Sequence, residues 1–370
     1  MQIPLSCPDI THLELKYVAE ALSTPELSLG PKLVEFEAKM ARYVGTRYAV
    51  AVNSGTSGLH LVIRALGIKA GDEVITTPFS FIASANCILF EGARPAFVDI
   101  DPLSLNLDVG LIEERINPAT RAILAVDIFG HPAEWKRLEE IARKHDLRLI
   151  EDSCEALGAE YQGRKAGSFG EAAVFGFYPN KQMTTGEGGV VVTDSEEIAL
   201  LCRSLRNQGR EDGGEWLAHR RLGFSYRMSD INCALGIAQM ERIEELLAKR
   251  ERVAEMYSER LKDIEGIRIP CTSPQVKRSW FVYVVILAEG YSRLDRDRIL
   301  HGLRQRGIGC SNYFPPIHLQ PFYVEMFGYR RGDLPLAEHV AERTIALPFS
   351  SKMEEKQVDY VVDNLKAVLG

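Results

Sequence analysis

Short apolar segments alternate with helix-compatible stretches through the first half of the chain. The segments are rich in β-branched and small residues, and they are residues 48–52, 73–77, 96–100, 122–128, 147–152, 173–177 and 189–193. Strands that alternate with helices form βαβ units, which build a mainly parallel sheet. The segments are apolar on both faces, as expected where helices cover both sides of a sheet. The pattern predicts an α/β fold built on a mostly parallel sheet.

The last two segments, 173–177 and 189–193, lie unusually close together. A parallel pair of strands needs a connection of about a dozen residues or more, usually a helix. The link between these two segments is too short for a comfortable helical crossover. We therefore expect one of them to run antiparallel.

The spacing of apolar residues changes after residue 230. Ile231, Leu235 and Ala238 follow helical spacing and, with 243–247, predict one long helix or two up to about residue 261. A strand at 281–287, a helix at 295–306, a Pro-rich loop at 314–321 and a closing helix at 354–369 then indicate a small α+β unit. The predicted domains are residues 1–245, including the N-terminal segment, and residues 246–370.

Charge and cysteine usage exclude several classes of protein. The 370-residue chain has 44 Lys and Arg against 51 Asp and Glu, a net charge of −7. Such a chain is not a general nucleic-acid binder, although a local basic pocket for a phosphate remains open. The seven scattered cysteines form no CxxC pair, and no HExxH motif or close histidine cluster occurs. We therefore expect free thiols and no metal.

Hydropathy gives no sign of a membrane protein. The longest apolar run, about 281–288, is far shorter than the roughly 20 residues that span a bilayer. The first residues lack the basic and apolar regions of a signal peptide. We expect a cytoplasmic protein.

A turn of small residues follows the first predicted strand. Residues 53–59 read NSGTSGL and open a helical stretch. Uncovered backbone N–H groups and the helix dipole would favour a phosphate at Gly55 and Thr56. The alternative is a simple helix N-cap. The segment is not a Walker loop, because the chain has no GxxxxGK[ST] motif.

An acidic motif, IEDSCE, lies at the end of the segment 147–152. Asp152 is at the carboxyl end of that predicted strand, where ligands of α/β sheets collect. Its carboxylate could pair with a cationic ring nitrogen or a metal, and Glu155 would share its face if a helical turn starts there. The alternative is a pair of acids at a helix start. Asp99 and Asp127 also end strands, so position alone does not select Asp152.

A lysine lies in the loop between the last two predicted strands. Lys181 belongs to FYPNKQMTTGEGG, rich in Pro, Gly and Thr. A partly desolvated lysine can lose its proton and form a Schiff base with a carbonyl. The alternative is a solvated loop lysine. Lys165, in YQGRKAG, has similar neighbours but no buried strand directly before it.

Weaker candidates have equally good structural explanations. Aromatic residues such as Phe81 can stack on a ligand but are more often core. Arginines can bind phosphates but mostly lie in solvent or in surface ion pairs. A lone histidine is usually structural. The candidates for substrate binding are Arg206, Arg210, Arg227 and His318.

Together these motifs have a recognisable order. NSGTSGLHL, IEDSCEALGA, FGFYPNKQMTTGEGG, GFSYRMSDINCALG and FPPIHLQPFY follow one another along the chain. In this order the chain resembles the sugar-nucleotide aminotransferases of the DegT/DnrJ type, from about residue 4 to the C-terminus. The resemblance implies the fold-type-I pyridoxal-phosphate transferase architecture, with a mostly parallel seven-stranded sheet in the large domain.

The resemblance also implies roles for residues. Lys181 is similar to the Schiff-base lysine that later shuttles protons, and Asp152 to the carboxylate that pairs with the pyridine nitrogen of pyridoxal 5'-phosphate. Phe81 is where a ring stacks on the cofactor, and Gly55 and Thr56 match its phosphate site. Glu155, often Gln or His in relatives, would lie near the phenolic oxygen. Because that oxygen is anionic, we expect Glu155 to be protonated or turned aside.

Two positions depart from the pattern of many relatives. Gly176 stands where many carry a phosphate-binding serine, and Ser225 stands where many offer an asparagine to the partner subunit's phosphate. Relatives build each active site from two subunits, so the resemblance implies a homodimer with the active site at the interface, and Ser225 remains a cofactor-binding candidate.

The resemblance further implies the substrates. TTGEGG and IEDSCEALGA are most similar to perosamine-synthase-type enzymes, which favours a nucleotide-linked 4-keto-6-deoxyhexose as acceptor and L-glutamate as donor in a ping-pong reaction. The alternatives are a 3-keto sugar nucleotide as acceptor, a lyase and a non-catalytic regulator. Related lyases replace the lysine with histidine, so Lys181 argues against that alternative.

Overall fold

The structure is a computed structural model that describes residues 1–211 and 218–369. The helices are α1 (His12–Leu22), α2 (Pro31–Val44), α3 (Gly55–Ala65), α4 (Ala83–Leu89), α5 (Ile112–Arg115), α6 (Trp135–Lys144), α7 (Glu196–Arg206), α8 (Asp230–Glu241), α9 (Ile243–Leu261), α10 (Arg293–Gln305), α11 (Pro321–Phe327), α12 (Pro335–Ala341) and α13 (Glu355–Leu369). The strands are β1 (Tyr48–Val52), β2 (Glu73–Thr76), β3 (Arg94–Phe97), β4 (Thr120–Val126), β5 (Arg148–Asp152), β6 (Glu160–Tyr161), β7 (Arg164–Lys165), β8 (Ala172–Gly176), β9 (Gly189–Thr193), β10 (Ile267–Arg268), β11 (Val276–Lys277), β12 (Tyr283–Leu287) and β13 (Thr344–Leu347).

All seven predicted segments contribute strands to one sheet. Its order is β1-β9-β8-β5-β4-β2-β3. The pairs from β3 to β8 are parallel, whereas β9 runs antiparallel to both β1 and β8. The predictions of a mostly parallel sheet and of an antiparallel strand among the last two segments are confirmed. β8 and β9 form a hairpin, and the loop between them carries Lys181. Because β8 runs parallel to β5, this loop lies at the edge of the sheet where the parallel strands have their carboxyl ends.

Helices cover both faces of this sheet, which explains why its strands are apolar throughout. In β9, Val191 packs with residues of α3, α4 and α7 on one face. Its neighbours Val190 and Val192 pack with residues of α2 and α8 on the other. Full burial of such a side chain contributes roughly 1.5–3 kcal/mol relative to leaving it exposed. Packing on both faces of the sheet therefore holds the strands, and with them the strand ends, in place.

A second unit is built on the antiparallel sheet β10-β12-β13. The predicted long helix is two helices, α8 and α9. In α9, Ile243 and Leu246 pack in the core of the large sheet, whereas Val253 and Tyr257 pack in the core of the second unit. Near the N-terminus, Ile3 also packs in that second core. The division at residue 245 stays a prediction.

The cysteines and the helices can be compared with the sequence predictions of free thiols and of no membrane span. All seven cysteines are free thiols. Within the described ranges, no helix combines the length and the apolarity that a membrane crossing requires.

Candidate active site

The carboxyl ends of the central strands border a cavity of about 530 Å³. Parallel strands deliver their ends to one edge of a sheet, which brings residues from distant parts of the sequence together. The walls contain six of the predicted site residues, namely Gly55, Thr56, Phe81, Asp152, Glu155 and Lys181. The structure therefore places in one cavity the residues predicted to hold pyridoxal phosphate, apart from Ser225.

The start of α3 forms a small cradle at one end of the cavity. The hydroxyl of Ser54 accepts a hydrogen bond from Ser57 N–H at 3.1 Å, so the predicted N-cap is present. The N–H groups of the first helical turn have no partner within the helix. A Cβ atom at Gly55 would lie 2.8 Å from Cys154 Sγ, so a larger residue does not fit there. The cradle can accept a phosphate while Ser54 caps the helix.

The side chain of Asp152 is held in place at the end of β5. Its Oδ2 accepts a hydrogen bond from the Ser84 hydroxyl at 2.7 Å, and its Oδ1 accepts one from Cys154 N–H at 3.1 Å. These donors orient a carboxylate that lines the cavity and is otherwise buried. Sequence reasoning missed Ser84, because a serine inside an apolar helix shows no sign of facing a strand end 68 residues away.

Lys181 points its amine toward two neighbours. The Nζ atom lies 3.6 Å from Glu155 Oε1 and 4.0 Å from the centre of the Phe281 ring. The side chain is only 14% exposed, so the amine is largely shielded from water. Phe81, by contrast, is 59% exposed on the cavity wall and offers a bare aromatic face for stacking. Phe281 also lines the cavity and was not identified from the sequence.

Glu155 connects the lysine to the loop after β4. Its second oxygen, Oε2, accepts a hydrogen bond from Phe129 N–H at 2.9 Å. Phe129 has a φ of 53°, a left-handed conformation that turns its N–H toward the carboxylate. Burial raises the pKa of Glu155, and the charge of Lys181 opposes that rise. The expectation that Glu155 is protonated or turned aside stays a prediction.

We expect Glu155→Gln to change the pH dependence of the bound cofactor. The substitution keeps the shape of the side chain and removes an ionisable carboxyl group 3.6 Å from Nζ. When that carboxyl group ionises as the pH rises, its charge favours a cation at Nζ, so without it the absorbance transition of the pyridoxal-phosphate-loaded enzyme should move to lower pH. Spectrophotometric titration of both proteins measures the shift. Superimposable profiles would contradict the prediction.

Two buried carboxyl groups share one hydroxyl beside Asp152. Ser153 Oγ lies 2.8 Å from Asp127 Oδ2 and 2.6 Å from Glu151 Oε1, and both acids are fully buried. A hydroxyl has one proton to donate, so one contact needs a proton from a carboxyl group. Burial raises the pKa of Asp127 to about 6 and that of Glu151 well above its usual range. The pair therefore shares a proton directly behind the strand end that carries Asp152.

This shared proton predicts a pH-dependent stability. Groups whose pKa is raised on folding stabilise the native state fully below their unfolded pKa, and this contribution is lost as the pH rises through the folded pKa. The free energy of unfolding should thus fall from about pH 4 upward, by at most about 1.4 kcal/mol per pH unit for one proton. In Asp127→Asn the amide can donate to Ser153, and the slope should become shallower.

Urea unfolding between pH 4 and 8 measures this slope. Asp263→Asn is the matched control, since Asp263 is exposed and its replacement should leave the slope unchanged. Equal slopes in wild type and Asp127→Asn would show that the pair holds no shared proton.

The structure corrects the substrate-binding prediction for two residues. Arg206 is buried, and its Nη1 donates to Glu37 Oε1 and to the backbone oxygen of Ala51. His318 is fully buried, with Nε2 3.0 Å from Glu338 Oε1. Both side chains have partners inside the protein and neither lines the cavity, so neither is placed to bind a substrate there.

The remaining predicted residues lie outside this cavity. Ser225 is exposed beside a shallow surface pocket, and Arg227 Nη1 donates to Asn207 Oδ1 at 3.3 Å. Arg210 is half-buried. None of the three lines the cavity within one chain, so their roles stay predictions that depend on a second subunit. Over the described parts of the sequence, no group of three His, Cys, Asp or Glu is arranged to hold a metal ion.

Comparison with known proteins agrees with this geometry. Residues 8–366 match the DegT/DnrJ/EryC1/StrS aminotransferase family. The chain is 39% identical to GDP-perosamine synthase of Caulobacter vibrioides, covering 100% of this chain and 98% of that protein. It is 35% identical to the spore coat polysaccharide biosynthesis protein SpsC of Bacillus subtilis, over 99% and 97% of the two chains.

Solved structures show the same fold. Helicobacter pylori PseC, an aminotransferase involved in the biosynthesis of pseudoaminic acid, superposes with a TM-score of 0.95 at 30% identity, covering 100% of this chain and 99% of that chain. The predictions of a pyridoxal-phosphate transferase fold and of an aminotransferase are confirmed. The chain belongs to the DegT/DnrJ/EryC1/StrS aminotransferase family and is a pyridoxal-phosphate-dependent sugar aminotransferase.

Proposed function

We propose that the protein transfers the amino group of L-glutamate to a nucleotide-linked 4-keto-6-deoxyhexose in two half-reactions of a ping-pong cycle. The observation that carries this proposal is the placement of the Lys181 amine and the Asp152 carboxylate in one cavity. The relative named GDP-perosamine synthase and the TTGEGG segment support a nucleotide-linked acceptor of this class.

The cavity fits pyridoxal phosphate at each part of that molecule. The α3 cradle, closed to larger residues at Gly55, suits the phosphate, and the exposed Phe81 suits the ring. Asp152 would hold a proton on the ring nitrogen through its anionic oxygens. When bound, the cofactor supplies a reactive aldehyde and a ring that withdraws electrons from the bond being broken.

Lys181 and its neighbours would transfer the proton that leaves the amino donor. The Nζ amine would hold the aldehyde carbon and would then carry a proton between the donor carbon and the cofactor. Glu155 stands next to this amine and can stabilise its charged form. Phe281 lies against Nζ and the lysine side chain is only 14% exposed, and this shielding from water strengthens each of these charge interactions.

The charge of the cavity supports a homodimer with the active site at its interface. The described residues that line it include three acidic ones, Asp152, Glu155 and Glu187, and a single residue with a basic side chain, Lys181. A phosphate, a glutamate and a nucleotide are all anionic and need further cations. We propose that the partner subunit brings the segment with Ser225 and Arg227 to this cavity, with Arg210 close by.

The function is tested by supplying L-glutamate with a panel of nucleotide-linked 4-keto and 3-keto sugars and identifying products by mass spectrometry. Amination of a 4-keto sugar is the expected result, and preference for a 3-keto sugar would overturn the assigned position. A protein that binds pyridoxal phosphate yet shows no glutamate-dependent change in absorbance would instead be a non-catalytic regulator.

A further inference from the structure

A buried arginine lies behind Lys181 and contacts two separate segments of the site. Arg250, on α9, donates from Nη2 to the backbone oxygens of Asn180 at 3.4 Å and Lys181 at 2.5 Å. From Nη1 it donates to the backbone oxygens of Trp280 at 3.4 Å and Phe281 at 3.2 Å. One guanidinium group thus holds the lysine loop and the segment that precedes β12.

Among the described residues, no carboxylate forms an ion pair with Arg250, and only the more distant charge of Asp9 acts on it. The side chain is only 3% exposed. Its Nε is buried without a hydrogen-bond acceptor. Burial lowers the pKa of Arg250 to about 10, so the group is still charged at neutral pH. A buried, unpaired cation is unfavourable unless several dipoles surround it, and here carbonyl dipoles do so.

The lysine loop and the segment that precedes β12 are also in contact at the Lys181 amine. The ring of Phe281 lies 4.0 Å from Lys181 Nζ, and the backbone of both residues is bound to the same guanidinium. The next residue, Gln182, donates from Nε2 to the backbone oxygens of Glu155 and Ser279. Because the guanidinium is planar and rigid, it fixes the mutual position of the carbonyls it binds.

We propose that Arg250 is a positioning residue that sets the place of the Lys181 amine relative to Phe281 and Glu155. This inference rests on the proposed role of Lys181. The fork geometry of arginine matters as well as its charge, since an ammonium group is a single point that cannot bind both segments in the same way.

The test uses the full-length variants Arg250→Lys and Arg250→Gln. We expect the rate of the glutamate half-reaction, followed by cofactor absorbance in single turnover, to fall by about 10- to 100-fold. The KM for glutamate should change little, because Arg250 does not line the cavity. Arg250→Lys keeps the charge and should recover only part of the rate. If Arg250→Gln does not fold, Arg250→Lys carries the test.

A second measurement needs no cofactor. Reductive methylation of the apoprotein with formaldehyde and cyanoborohydride, read by mass spectrometry, gives the reactivity of each lysine. Lys181 should react faster in both variants than in wild type, whereas the exposed Lys262 should not change. The matched control is Arg296→Lys, since Arg296 is buried and its Nη1 donates to the backbone oxygen of Ala341 at 3.0 Å.

The outcomes separate this inference from the proposed function. If both Arg250 variants match Arg296→Lys in half-reaction rate and in Lys181 reactivity, Arg250 has only a structural role and the inference is wrong. If Lys181→Ala is itself active, the proposed role of the lysine fails first, whatever the Arg250 variants do.

Discussion

Lys181→Ala is expected to reduce transamination by about 10⁴-fold, the upper end of what general acid–base catalysis contributes. The substitution removes the only amine among the described residues of the cavity wall. It also removes the partner of Glu155, whose pKa is already raised by burial and which can therefore take up a proton. The fold should remain intact, and product formation from glutamate and the keto sugar measures the loss.

Lys165→Ala is the matched control for this experiment. Lys165 donates from Nζ to the backbone oxygen of Tyr43 at 2.9 Å and lies 3.7 Å from the centre of the Tyr43 ring. It resembles Lys181 in having an aromatic neighbour, but it is absent from the cavity wall. Its alanine variant should keep normal turnover. Near-normal turnover in Lys181→Ala would refute the assignment of the Schiff-base lysine.

Asp152→Asn is expected to lower kcat by about 10²- to 10³-fold, the range seen when one preorganised electrostatic contact is lost. The amide oxygen can keep the hydrogen bond from Ser84 or from Cys154 N–H. What it cannot do is hold a proton on the ring nitrogen as an anion, so the ring withdraws electrons less strongly. Stopped-flow measurement of the glutamate half-reaction gives the rate directly.

Asp127→Asn provides the comparison for Asp152→Asn. It makes the same chemical change at the neighbouring strand end, but Asp127 does not line the cavity. Its half-reaction rate should stay within a few-fold of wild type. If the two variants lose activity equally, the effect comes from the disturbed strand ends and not from a contact of Asp152 with the cofactor.

Much of the site follows from sequence because strand ends are predictable. Asp152 is the last residue of an apolar segment, Lys181 lies in a short link between two such segments, and Gly55 and Thr56 follow another. Once a mostly parallel sheet is inferred, its carboxyl edge brings these positions together. The antiparallel direction of β9 also follows from the length of one link, because a helical crossover does not fit there.

The other features of the site could not be predicted, because they depend on contacts between residues that are far apart in the sequence. Arg250 meets Lys181 from 69 residues away, and no local pattern on α9 distinguishes it from the solvated charges beside it. Arg206 is a plausible substrate-binding residue by sequence, because the sequence does not reveal its partner Glu37, which lies 169 residues away. A charged residue shows its role through its partner, and partners are set by tertiary packing.

The proton shared by Asp127 and Glu151 also alters the charge of the folded protein. The formal value of −7 counts every Asp and Glu as ionised. While the pair holds its proton, the native chain carries one negative charge fewer than its composition states, and unfolding at neutral pH should release that proton to the solvent. The carboxyl edge of the sheet thus presents anionic ligands with a weaker opposing field than the number of its acidic residues suggests.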